Sequence, residues 1–380
     1  MNAPSDSQEH ALSNACTYFL NGVCRSCTLI DRTEDQYFFE KQKGYDVALV
    51  KSPALFHTRN KAKLVVSGTR SHPLLGLQET EILSCPLHTT TINEIVKAIP
   101  PLLVQLAIDP YDLKTQRGEL KYVLLTHATG TGEVMARFVV RSHGSLGSIR
   151  SLAAQLQKKF PLLKVVSANI QPKHTAIIEG EEEILLSEQT TLCDMVGELR
   201  FILGPKTFYQ VNSSVALALY SKAKIEAQAL SPRTILDLFC GIGTFAQFCA
   251  GETTRVVGVE LSNESIVYAK KSAELNGIHN CEFVAMDAEE YLRQHPDFYA
   301  DLVIVNPPRR GLGEDICNLL LKLRPKTIFY SSCNPQTLER DIAFLNTDYT
   351  VKEKTPFDMF TLSHHVEVFT ILRRADILEA

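Results

Sequence analysis

Cys333 is the residue in this sequence best placed to do covalent chemistry. It lies in Ser331-Ser-Cys-Asn-Pro335, a tight turn between an expected strand at 327–330 and a helix from about Gln336. Turns at the carboxyl ends of strands in open α/β sheets are where ligands bind. The start of the helix would favour a thiolate through its dipole. Taken alone, Cys333 reads more readily as a buried structural thiol, as free cysteines usually are. The residues around it in the carboxyl-terminal half change that balance.

Asp237-Leu-Phe-Cys-Gly-Ile-Gly243 is a strand running into a glycine turn, and Glu260 ends the strand after it. Gly241 and Gly243 let backbone approach a ligand, while an acid in the position of Glu260 can grip ribose hydroxyls. Gly241-x-Gly243-x-x-Ala246 also satisfies a dinucleotide fingerprint, so a nicotinamide-dependent oxidoreductase has to be weighed. Three features favour S-adenosylmethionine instead. Asp237 precedes the glycines inside the strand, where a carboxylate suits a methionine ammonium better than a pyrophosphate. Asp287 follows the third strand, where an adenine edge would lie, and Asn306-Pro-Pro follows the fourth.

Asn-Pro-Pro followed by an aromatic residue suits methylation of an exocyclic amine, but Arg309 follows here. The chemistry that remains uses Cys333. Uracil C5 is too weak a nucleophile to attack a methyl group unaided. A thiolate added at C6 makes the ring an enolate with its charge at C5. A base must then take the C5 proton before the thiol can leave. Glu367, in His364-His-Val-Glu367, is the candidate base, with an ordinary surface carboxylate as its alternative reading.

Cys16, Cys24, Cys27 and, farther on, Cys85 form a second constellation. Soft thiolate ligands select zinc or iron–sulfur clusters. A single Cys-x2-Cys pair, with Cys85 followed by proline, favours a [4Fe–4S] cluster fixing structure. None of the ten cysteines is expected in a disulfide, since Met1–His10 resembles no signal peptide and a cytoplasmic location is expected.

The elements that must position these groups divide the chain into three expected parts: a cluster-binding segment at 1–90, a central α/β RNA-binding domain at 91–196, and a Rossmann-like α/β domain at 197–380. In the middle, 61–66 reads as a strand with one basic face, and 92–107 as a helix interrupted at Pro100-Pro101. A hairpin is expected over 121–126 and 133–141, a helix over 145–160, and strands over 164–170 and 175–178. Beyond Gly204, strands and helices alternate as in a parallel doubly wound sheet. No run approaches the roughly 20 apolar residues of a membrane span. The net charge of −4 argues against a general polyanion binder, yet the charge is segregated. Between Glu133 and Glu179 there is no acid, while Arg137, Arg141, Arg150, Lys158, Lys159, Lys164 and Lys173 are present. A basic face of that kind can hold phosphates.

Asp237-Leu-Phe-Cys-Gly-x-Gly, Val305-Asn-Pro-Pro-Arg-Arg-Gly311, Tyr330-Ser-Ser-Cys-Asn334 and His365-Val-Glu367 together resemble the RNA uracil-C5 methyltransferases. The resemblance runs over nearly the whole chain. It implies that Gln210, Phe239, Glu260 and Asn306 contact S-adenosylmethionine, that Cys333 is the nucleophile, and that Glu367 is the proton acceptor. It further implies that Cys16, Cys24, Cys27 and Cys85 hold a [4Fe–4S] cluster. The implied substrate is a loop uridine of 23S ribosomal RNA, and a monomer is expected. Leu362-Ser-His-His departs from the Pro-His-Thr-x-His form of the family just before Glu367. Two alternatives stand beside this reading: a nicotinamide-dependent iron–sulfur oxidoreductase, and a non-catalytic RNA-binding protein.

Overall fold

A computed structural model describes residues 11–77, 80–174 and 177–377; the leader reading of Met1–His10 lies outside them. The amino-terminal segment carries two helices, α1 (Thr17–Leu20) and α2 (Glu34–Gln42). A capping box starts α2: the Thr33 hydroxyl accepts from the Gln36 amide while the Gln36 side chain accepts from the Thr33 amide.

The chain then builds a mixed sheet. Its elements are β1 (Lys61–Thr69), β2 (His72–Leu77), β3 (Thr80–Glu81), α3 (Thr90–Gln105), β4 (Leu120–His127), β5 (Val134–Val140), α4 (Leu146–Lys159), β6 (Leu163–Ile170) and β7 (Glu182–Leu185), with strand order β3-β2-β1-β4-β5-β6-β7. The sheet therefore takes in β1 to β3, and the division expected at residue 90 runs through it. Helix α3 is not interrupted at Pro100-Pro101. A proline in a helix interior costs about 3 kcal/mol. Here Ile92, Ile95, Val96, Ile99 and Leu103 bury one face against the sheet, at roughly 1.5–3 kcal/mol each, which offsets that cost. The strand expected at 175–178 starts outside the described residues, and 177–178 is loop; β7 takes the sheet edge.

A hairpin of β8 (Leu192–Val196) and β9 (Leu199–Leu203) occupies the expected boundary. The second sheet follows: α5 (Ser213–Leu230), β10 (Thr234–Leu238), α6 (Thr244–Cys249), β11 (Arg255–Glu260), α7 (Asn263–Leu275), β12 (Cys281–Ala285), α8 (Ala288–Gln294), β13 (Leu302–Val305), α9 (Glu314–Leu323), β14 (Thr327–Ser332), α10 (Pro335–Leu345), β15 (Tyr349–Phe357) and β16 (Glu367–Arg374). The strand order is β12-β11-β10-β13-β14-β16-β15, parallel as far as β14. Strand β13 is buried along its whole length, as a strand covered on both faces must be. Strand β16 runs antiparallel between β14 and β15. Its amino end thus lies at the edge where the parallel strands have their carboxyl ends.

Asp237 departs from the role expected of it. It is fully buried in β10: one oxygen accepts from the Ala246 amide in the first turn of α6 at 2.9 Å, and Oδ1 is sealed in with no partner. Burial, with Glu260 nearby, pushes its carboxyl up to about 8. It fastens α6 to the sheet. A carboxyl raised in this way contributes stability at low pH that is lost as pH rises from about 4 towards 8. Asp237→Asn keeps the acceptor without a charge to bury. The variant should flatten the decline in thermal stability over that range, worth on the order of a few kcal/mol; melting curves with the same pH slope as the native chain would refute this.

Candidate active site

Every site residue expected in the second sheet lies at one edge, around the crevice between β10 and β13 where the strand order reverses. After β10, Phe239 takes a left-handed conformation at φ 62°, rare for an aromatic residue, and Gly241 follows at φ 55°. A Cβ on Gly241 would project into open space, whereas one on Gly243 would come within 2.6 Å of the Phe283 ring. The first glycine therefore leaves a surface bare for a ligand and the second allows close packing. Glu260, ending β11, accepts from the Gly241 amide at 3.2 Å and the Ser262 amide at 2.9 Å. Asp287 follows β12 and caps α8, one oxygen accepting from the Glu289 and Glu290 amides. Asn306 follows β13, half-buried. Gln210 is buried, and its carbonyl accepts from Asn60 Nδ2 at 2.9 Å, which ties it to the start of β1.

The other half of the site forms between β14 and β16. Their register pairs Ser332 with Val368; one step further sets Cys333 opposite Glu367. Glu367 is 2% exposed, and Ser331 Oγ donates to its Oε1. Burial pushes the Glu367 carboxyl up to about 7, with the Ser331 hydrogen bond opposing. Burial raises the half-buried Cys333 thiol too, Glu367 adds to the rise, and the Arg309 side chain hydrogen-bonded to the thiol opposes it. The cation of Arg309 is a local group that favours the thiolate.

Arg309, whose side chain meets the Cys333 thiol, was given no role by sequence reasoning, which used it as the absence of an aromatic and as part of the Val305–Gly311 motif. Its carbonyl accepts from Asn334 Nδ2 at 2.9 Å and Thr337 Oγ1 at 3.2 Å, which joins the loop after β13 to the start of α10. Buried Asp341 secures the same loop, accepting from the Leu312 amide and the Tyr330 hydroxyl, each at 2.7 Å. Gly311, at φ 77°, has to be glycine: a Cβ would lie 2.3 Å from Asp341 Oδ2.

Cys16, Cys24, Cys27 and Cys85 come together on the wall of a cavity of about 390 Å³ that Arg59, Lys61 and Arg137 also line. Cys16, Cys24 and Cys85 all bear electrostatically on Cys27, and all ten cysteines are free thiols. Among the described residues, no three His, Cys, Asp or Glu side chains close around one point as a single metal ion requires.

The acid-free basic stretch is partly structural. Arg137 is buried against Glu179 and Glu183, and Arg141 pairs with Glu119. Arg150, Lys158, Lys159 and Lys173 stay exposed. Among the described residues no helix is long and apolar enough to cross a membrane.

Residues 187–375 match the family described as tRNA (Uracil-5-)-methyltransferase. The 23S rRNA (uracil(747)-C(5))-methyltransferase RlmC of Pectobacterium atrosepticum is 37% identical over 375 residues, which cover 95% of this chain and 100% of that protein. RlmC of Yersinia pseudotuberculosis is 38% identical over 372 residues, 94% of this chain and 98% of that one. Among solved structures, the Pyrococcus abyssi tRNA (uracil-54, C5)-methyltransferase in complex with S-adenosyl-L-homocysteine superposes with a TM-score of 0.75 at 26% identity. The superposition covers 91% of this chain and 85% of that chain.

Proposed function

As the chain belongs to the S-adenosylmethionine-dependent RNA (uracil-C5)-methyltransferases, we propose that it methylates C5 of a loop uridine in 23S ribosomal RNA through a covalent bond from Cys333 to uracil C6. The nicotinamide and non-catalytic readings fall with that membership. The uridine proposed is the counterpart of uracil 747, which the names of the RlmC relatives specify.

The observation that carries the mechanism is the setting of Cys333 opposite Glu367 beyond the β14–β16 register, with Arg309 of the loop after β13 against the thiol. S-adenosylmethionine supplies an electrophilic methyl group. Gln210, Phe239, Gly241, Glu260, Asp287 and Asn306 would contact it, with Gly243 allowing the glycine turn to pack closely on Phe283. Arg309 favours the Cys333 thiolate, which adds to C6 and leaves C5 nucleophilic. Once C5 carries the methyl group, ionised Glu367 takes its proton, the C5–C6 double bond re-forms, and the thiolate departs. The target base has to leave its stack to reach this crevice, which is cheapest in a loop. The exposed cations of the middle domain would hold flanking phosphates.

Incubation with a 5-fluorouridine-containing rRNA fragment and S-adenosylmethionine tests this directly. Fluorine at C5 cannot leave as a proton, so a denaturation-resistant protein–RNA complex should accumulate; a chain that methylates ordinary RNA and forms no such complex would defeat the covalent mechanism.

The four converging cysteines support a [4Fe–4S] cluster held by Cys16, Cys24, Cys27 and Cys85, which would fix the amino-terminal segment. Iron and acid-labile sulfide should be found in protein purified without oxygen and lost in Cys27→Ser. Equal iron in that variant would exclude the assignment.

A further inference from the structure

The loop that delivers Glu367 is gripped by a part of the chain that announces no chemistry of its own. Residues 358–366 join β15 to β16, and Glu367 pairs with Phe357 at the neck of that hairpin. Lys41, from the last turn of α2, enters the loop. Its Nζ lies 3.0 Å from Asp358 Oδ1, with both side chains wholly buried. The same ammonium donates to the carbonyls of Phe360 at 3.2 Å and Ser363 at 3.0 Å, and to that of His365. Tyr37, one turn earlier on the same face of α2, donates to Asp358 Oδ1 at 2.6 Å, and its oxygen accepts from the Leu362 amide at 3.3 Å. Leu362 is held at φ 58°, and its carbonyl accepts from the Leu29 amide at 3.1 Å. The Thr28 hydroxyl contacts both the amide and the ring of His364.

Carbonyl oxygens aimed at one point repel each other unless a cation sits among them, so the loop cannot hold this shape without Lys41. Two residues beyond the last carbonyl, the chain enters β16 at the residue facing Cys333. We propose that Lys41, together with Tyr37 and Asp358, is a positioning group for methyl transfer: it fixes the 358–366 loop so that Glu367 stays in reach of the C5 proton. The proposal rests on the reading of Glu367 as the base.

Two variants of the full chain test it. Lys41→Met removes the ammonium, and Tyr37→Phe removes one hydroxyl and leaves the ion pair. Misplacing a catalytic group by about 1 Å can cost about 10²-fold in rate. We expect kcat to fall about 10²-fold in Lys41→Met and about 10-fold in Tyr37→Phe, with KM for RNA within about twofold of native. Because Cys333 would still add to the ring, both variants should accumulate a covalent complex with ordinary uridine RNA. An unchanged kcat would overturn the proposal. So would a loss that merely follows the folded fraction, with no complex formed. If Lys41→Met does not fold, Tyr37→Phe decides alone. Glu367→Gln, assayed beside them, separates two failures. No trapped complex in that variant refutes the base itself, while trapping there and not in Tyr37→Phe refutes only the positioning.

Discussion

Cys333→Ala will methylate uridine at least about 10⁴-fold more slowly than the native chain, the scale on which removing a covalent nucleophile acts. Without sulfur at C6, the ring never gains the electron density at C5 that accepts the methyl group. No other thiol at this edge can replace it: Cys240 lies buried beneath the glycine turn. The substitution removes a half-buried side chain at the end of a strand and leaves the cofactor crevice untouched. Binding of S-adenosylmethionine should therefore stay within about twofold of native. Transfer of labelled methyl groups to rRNA, measured with cofactor affinity on the same protein, checks both halves. Residual turnover within tenfold of native, on the same scale, would leave the thiol without its role.

Glu367→Gln should lower kcat by about 10²–10⁴-fold and hold ordinary RNA on the enzyme as a stable adduct. Addition at C6 starts from the Cys333 thiolate, and neither it nor attack on the methyl group draws on Glu367; release does. The pH dependence follows from the carboxyl's burial. With its ionisation raised to about 7, the carboxylate is scarce in acid, so single-turnover product release should climb about tenfold per pH unit below 7 and level off above it. Ser331 opposes that rise by donating to the carboxylate. Ser331→Ala should therefore shift the climb to higher pH. The same raised ionisation makes Glu367 a group whose contribution to folding fades as pH rises towards 7. A release rate that does not change with pH between 5 and 8 would show that another group takes the proton.

Much of this site was legible in the sequence because strand-to-helix turns carry recognisable residues. The glycines after β10, the acid ending β11, Asn306-Pro-Pro and Ser331-Ser-Cys all announce strand ends, and an open parallel sheet brings such ends to one edge. What was not legible was pairing. Only the antiparallel insertion of β16 beside β14 sets Glu367 against Cys333, and no local pattern reports which strand becomes the neighbour of which. Asp237 shows the same limit in the other direction: its type suggested a ligand contact, but its alternation within β10 turned it towards α6. The prolines of α3 were misleading since propensity is local, whereas the burial that keeps the helix whole comes from the sheet. Arg137 read as part of a phosphate-holding face until tertiary structure supplied Glu179 and Glu183, and nothing local marked Lys41 as the partner of Asp358.

The grip of α2 on the loop before β16 has a consequence for how the molecule is made. Tyr37 and Asp358 are 321 positions apart, and closing a loop of that length costs about 5 kcal/mol in chain entropy. Translation releases Lys41 early, so its ammonium must wait in water until the final hairpin has emerged. Contacts between such distant positions form late and slowly. In refolding followed by hydrogen exchange, the amides of α2 should thus gain protection after those of the parallel strands. Until that docking is complete Glu367 has no fixed place, so a chain assembled in that order gains its full rate of product release last.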